Sequence, residues 1–115
     1  DNASSVARVG LTTDQAKTQE VAHKSTSFPW AAIERNLGSG GGAGITKLSY
    51  CPDSDLMLGA VLVGKNVGEL LAECTLAIEM GATLDDIALS IHAHPTLSET
   101  IALAAERALG KLTDM

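Results

Sequence analysis

Strand-like segments dominate this chain up to Gly64, and helix-like segments occupy the remainder. Strands first and helices last predict an α+β layer. An antiparallel sheet comes from the N-terminal half, and the helices of the C-terminal half pack on one face of it. "VARVGL" (Val6 to Leu11) alternates as a strand does, and "VAHKSTSF" (Val21 to Phe28) reads as a second strand ended by Pro29. "ITKLSYC" and "LMLGAVLVG", joined by "PDSD", read as a hairpin. One short helix interrupts this half, because Thr12 and Gln15 stand at capping-box spacing. In the second half a helix over Val67 to Met80 opens near Asn66 and stops at Gly81. A shorter one has Thr83 and Asp86 at cap spacing, and the last runs from about Leu97 to Leu109 before Gly110.

At 115 residues, 45% of them apolar, the chain is one domain with enough material for a core. A net charge of −6 argues against nucleic acid, since phosphate neutralisation needs clustered Lys and Arg. No apolar run approaches the ~20 residues that span a bilayer. "DNASSVARVG" has neither the basic cap nor the apolar stretch of a signal peptide, and the chain lacks an initiator Met, so it reads as a piece of something longer. Cys51 and Cys74 stand too far apart for a CxxC motif and read as reduced structural thiols of an intracellular protein. Gly38, Gly40 and Ala43 fit G-x-G-x-x-A, but a strand pattern comes next where a dinucleotide fingerprint needs a helix, so the stretch is an inter-strand loop.

Titratable groups concentrate in "SIHAHPTLSE", Ser90 to Glu99. Pro95 pushes His94 into extended backbone, so this stretch is not helical up to the proline. His92 and His94, two apart in extended chain, point to one side. Three readings stand. Thr96 and Glu99 have the spacing of a capping box, which makes the histidines ordinary loop residues. His-x-His with a carboxylate has the makings of an open zinc site, although no fourth group is nearby. Alternatively, Glu99 orients one nitrogen of a histidine and leaves the other to exchange a proton with a substrate, its charge favouring imidazolium.

Periodicity points separately to an interface. Val67, Leu70, Leu71, Cys74, Ala77 and Ile78 form the core stripe of their helix. Leu76 and Met80 continue the opposite row, begun by Glu69 and Glu73, and Leu103 falls among Glu99 and Glu106 on the outer side of the last helix. Together they suggest a second buried surface of the kind a homodimer requires.

"GELLAECTLAIEMGATLDDIALSIHAHPTLSE" resembles the C-terminal interface domain of the dihydrolipoamide dehydrogenases, within the pyridine nucleotide-disulfide oxidoreductases. "VARVGLTTDQAK", "FPWAA", "TKL" and "GAVLVG" come in the expected order, so the resemblance covers nearly the whole chain, and "HAHPTLSE" is its specific part. Departures lie elsewhere: Ser4 and Ser5 stand where Pro-Glu is usual, and "GSGGGAG" is unusually glycine-rich. The resemblance implies that His94 is the catalytic acid/base and Glu99 its partner. They act across a homodimer on a dihydrolipoamide thiol that attacks a redox disulfide in the other subunit. It implies that His94 and Pro95 lie near the partner subunit's FAD, with His92 structural. It also implies FAD and NAD as cofactors of a full-length enzyme whose disulfide and nucleotide domains lie outside this chain. The chain alone is then inactive and binds neither cofactor tightly. Further partners would be lipoyl domains and the basic peripheral-subunit-binding domain of an acyltransferase core, with Asp85 and Asp86 as a landing site. The setting would be bacterial cytoplasm or the mitochondrial matrix. A non-catalytic dimerisation or scaffold module and another disulfide reductase of the superfamily remain the alternatives.

Overall fold

A computed structural model describes residues 5–31, 44–65, 67–90 and 97–110. In it, four strands form one antiparallel sheet: β1 (Ser5–Gly10), β2 (Lys24–Pro29), β3 (Ile45–Tyr50) and β4 (Met57–Gly64). Helix α1 (Thr13–Thr18) lies between β1 and β2, and α2 (Val67–Glu79), α3 (Leu84–Leu89) and α4 (Glu99–Ala108) come after the sheet. The α+β expectation holds. The strand order β1-β4-β3-β2 puts the expected hairpin at the centre, with the first strand returning beside the last.

Local chemistry explains the boundaries. Thr12 Oγ1 accepts from the Gln15 amide at 3.2 Å, and the Gln15 side chain accepts from the Thr12 amide at 3.1 Å, a complete capping box for α1. Thr83 and Asp86 build the same box at α3. The second strand begins at Lys24, not Val21, because Val21 is still occupied in ending α1. Its amide donates to the Ala16 carbonyl at 2.9 Å across Glu20, which sits at φ 57. That is a helix-terminating motif with a left-handed residue other than glycine. Pro29 closes β2 from within, which an edge strand tolerates because one side of its ladder is open. Asp55, also left-handed at φ 62, turns the β3–β4 hairpin.

Register sorts the side chains by face. Thr26 pairs with Leu48 and Leu48 with Ala60, while Phe28 pairs with Thr46 and Thr46 with Leu62, so these six share the face that meets the C-terminal helices. Helix α2 packs on β4 and β1, and α4 on β2 and β3. Leu48, Leu62, Leu84 and Ile101 are all fully buried between these layers. The expected α2 stripe is confirmed: Val67, Cys74 and Ala77 are buried, and Leu70, Leu71 and Ile78 pack against the core. On the other face Arg8, Val61 and Lys47 line a shallow cleft with Thr12 to Gln15 and Lys17, so α1 flanks the sheet on that side. No helix among the described residues is long and apolar enough to cross a membrane.

Candidate functional site

Helix α3 ends at Ser90, whose amide donates to the Ile87 carbonyl at 3.2 Å and whose hydroxyl donates to the Asp86 carbonyl at 2.8 Å. The chain is next described at Leu97, and Glu99 opens α4 two residues later. Of the residues singled out in the sequence, His92, His94, Pro95 and Thr96 lie outside the described residues, as do the Gly38–Ala43 motif and Asn66. The structure therefore places Glu99 and describes neither histidine of that stretch. The Thr96–Glu99 capping box and the zinc reading fall on the same undescribed stretch. Among the described residues the first turn of α4 is tightened by short-range bonds. The Thr100 amide donates to the Leu97 carbonyl at 3.0 Å and the Ile101 amide to the Ser98 carbonyl at 3.2 Å, while the Ser98 side chain makes no capping bond.

Glu99 is half-buried. With Ala88, Ser90, Ala102, Leu103 and Glu106 it lines a cleft of about 130 Å³ between α3 and α4. A carboxylate in the first turn of a helix is favoured there by the helix dipole. It has the acceptor capacity to fix the tautomer of an adjoining imidazole, and its charge stabilises imidazolium.

What fixes α4 relative to the sheet was not visible in the sequence. Trp30 Nε1 donates to Thr46 Oγ1 at 2.9 Å, Thr46 Oγ1 lies 2.7 Å from Thr100 Oγ1, and Thr100 Oγ1 donates to the Leu97 carbonyl at 2.6 Å. Trp30 is 2% exposed, and both threonines are completely buried. Farther along the helix, Thr26 Oγ1 donates to the Ala104 carbonyl at 2.9 Å and an Arg107 guanidinium nitrogen to the Ser27 carbonyl at 3.1 Å. Nothing in a local pattern marks Trp30, Thr46 and Thr100 as partners, since they stand 16 and 54 residues apart.

Both cysteines are free, as expected of reduced thiols. Burial, helped by the neighbouring Glu73 charge, pushes the Cys74 thiol up to about 12, whereas hydrogen bonds from Ser54 and Asp53 lower that of the half-exposed Cys51. Among the described residues no three His, Cys, Asp or Glu side chains converge as metal ligands would. Leu76 is 63% exposed and Met80 76%, in keeping with a second apolar surface on α2. Leu103 departs from the expectation of an outward side chain: it is half-buried and packs against the core, because α3 closes over that side of α4. Leu89, at the end of α3, is 75% exposed and joins the exposed apolar residues unforeseen. Asp86 of the expected acidic landing site accepts from the Thr83 amide at 2.9 Å, so its carboxylate also caps α3.

The family model for the pyridine nucleotide-disulphide oxidoreductase dimerisation domain matches residues 3–105. Dihydrolipoyl dehydrogenase of Haemophilus influenzae is 48% identical over 110 residues, 96% of this chain and 23% of that protein. The Vibrio parahaemolyticus protein of the same name is 47% identical over the same share of each. The chain thus spans under a quarter of the length of these relatives. Among solved structures, LpdA from Mycobacterium tuberculosis superposes with a TM-score of 0.82 at 24% identity, covering 90% of this chain and 22% of that one. The HOCl-induced flavoprotein disulfide reductase RclA from Escherichia coli gives 0.78 at 23% identity, covering 91% and 26%. At that identity the superpositions speak for the fold, and the match along the chain for the family. This chain belongs to the pyridine nucleotide-disulphide oxidoreductase dimerisation-domain family.

Proposed function

We propose that this domain serves a dihydrolipoyl dehydrogenase, in which it joins two subunits and supplies the His94–Glu99 acid/base pair to the active site of the partner subunit. In this reading the whole enzyme oxidises protein-bound dihydrolipoamide and passes the electrons to NAD, with FAD and a redox disulfide in segments outside this chain supplying the electron transfer. The observation that carries the proposal is the position of Glu99. Its half-buried carboxylate opens α4 beside the α3–α4 cleft, directly after the segment that holds His94 and Pro95. His94 accepts the proton of the attacking thiol and releases it to solvent after the electrons have passed on to NAD. Glu99 accepts a hydrogen bond from the far side of the ring and offsets the imidazolium charge. Relatives of the same name at 47–48% identity support the substrate class. His94 and Pro95 then lie against the partner subunit's flavin, and the chain on its own holds neither cofactor tightly.

Exposed Leu76, Met80 and Leu89 favour a self-associating face. Acidic α3, with Asp85 and Asp86, suits the basic peripheral-subunit-binding domain of an acyltransferase core, with lipoyl domains as the substrate carriers. The setting is bacterial cytoplasm or the mitochondrial matrix.

Subunit complementation tests the proposal. In the full-length enzyme, a mixed dimer pairs one subunit carrying His94→Gln with one whose redox disulfide is disabled. If His94 acts across the interface, one site carries both defects and the other is intact, so about half the activity returns. A mixed dimer as inactive as its two parents overturns action across the interface.

A further inference from the structure

We infer that Trp30, Thr46 and Thr100 form a buried hydrogen-bonded relay that positions the first turn of α4, and through it the carboxylate of Glu99. This rests on the acid/base reading of Glu99 and adds positioning residues that touch no reacting atom.

The direction of the relay is set by donor chemistry. An indole nitrogen only donates, so Thr46 Oγ1 accepts from Trp30. The Thr100 hydroxyl hydrogen is committed to the Leu97 carbonyl, so the hydrogen between the two threonines belongs to Thr46. Each hydroxyl therefore accepts once and donates once, and the chain runs from Trp30 to Thr46, Thr100 and Leu97. Its end lies on both sides of Glu99: Leu97 two residues before it and Thr100 directly after it. Its start is equally fixed. A Cβ at Gly44 or at Gly64 would fall inside the Trp30 ring, so both glycine backbones lie against the indole and hold its N–H in direction. Such a network, fully paired in a low-dielectric core, holds its geometry because any displacement strands a buried polar group. Two other ties fasten the same helix, from Thr26 to the Ala104 carbonyl and from Arg107 to the Ser27 carbonyl, but both lie farther along it. Of these ties, the relay is the one that reaches the turn carrying Glu99.

A loosened first turn lets the carboxylate drift from the imidazole, and the imidazole pKa falls. The base is active when neutral, so the acid limb of the pH profile for dithiol oxidation moves toward lower pH. The other titratable side chain lining the cleft, among the described residues, is Glu106, which every test substitution leaves in place.

The experiment uses the full-length homodimer and reads Tm beside the pH profile of kcat/KM. Glu99→Gln sets the scale of the shift. Thr46→Val removes the middle hydroxyl at nearly constant shape and moves the acid limb by at least a third of the Glu99→Gln shift. Thr46→Ser restores the limb. Thr26→Val, which cuts a tie elsewhere on α4, lowers Tm and leaves the limb in place. Should Thr46→Val fail to fold, Thr100→Ala breaks the next link and is read the same way. If Glu99→Gln shifts the limb and Thr46→Val lowers only Tm, the relay is merely structural and the inference is overturned. If Glu99→Gln itself leaves the limb unmoved, the acid/base reading fails and takes the inference with it.

Discussion

The seat of Trp30 makes a quantitative demand on two glycines. Alanine at Gly44 puts a methyl into the indole, and its φ lies outside the left-handed region, so the cost is steric alone. Overpacking of this kind costs about 1–3 kcal/mol. Gly64 meets the same ring and also sits at φ 149, which adds backbone strain of roughly 1–3 kcal/mol for an L-residue. Gly64→Ala should therefore lose about 2–6 kcal/mol, a large part of the ~5–15 kcal/mol that holds a domain together. Urea denaturation of the 115-residue chain, monitored by far-ultraviolet circular dichroism, measures both. A Trp30→Leu background separates the two contributions, because the smaller side chain vacates the ring's volume. There Gly44→Ala should become nearly neutral, while Gly64→Ala keeps its backbone part. Losses below about 0.5 kcal/mol for Gly64→Ala, or full additivity with Trp30→Leu, would refute the close approach and the fixed indole that depends on it.

Other parts of the molecule carry three further expected outcomes. Cys51 should react with a thiol alkylating reagent in the native protein while Cys74 reacts only on unfolding, as peptide mapping after timed quenching would show. Because burial raises the Cys74 thiol from its usual 9.0 to about 12, its contribution to stability is intact below pH 9. That contribution declines as pH rises from there toward 12, a slope that Cys74→Ala should flatten. Leu76→Glu places a charge in the exposed apolar row of α2 and should weaken self-association in the full-length protein. An unchanged dimer in sedimentation equilibrium would remove that face from the interface.

What the sequence made legible was local. Thr12 with Gln15 and Thr83 with Asp86 announce helix starts because a capping box is closed within four residues. The α2 stripe is legible because burial repeats every helical turn. The start of β2 was misread because Glu20 ends α1 in the left-handed region without being glycine, so Val21 gives no sign that it belongs to the helix terminus. Leu103 was read from its own helix alone, whereas its burial comes from α3 packing beside it. The pairing of β1 with β4 and the Trp30–Thr46–Thr100 relay depend on contacts across long stretches of chain, which no periodicity encodes. For the candidate site, sequence and structure divide the work. The sequence offers the histidines beside Pro95 as the proposed acid/base, and the fold supplies the anchored helix that begins at Glu99.

Steady-state turnover of dihydrolipoamide by full-length His94→Gln, beside the flavin absorbance and sedimentation of the same sample, decides whether His94 moves the proton. The flavin and the dimer should persist while turnover falls by about 10²–10⁴-fold, the usual worth of a positioned acid/base, and His92→Gln should cost far less. A folded, flavin-loaded His94→Gln dimer turning over at a near-normal rate would contradict the account and leave "HPTLSE" as no more than the start of a helix.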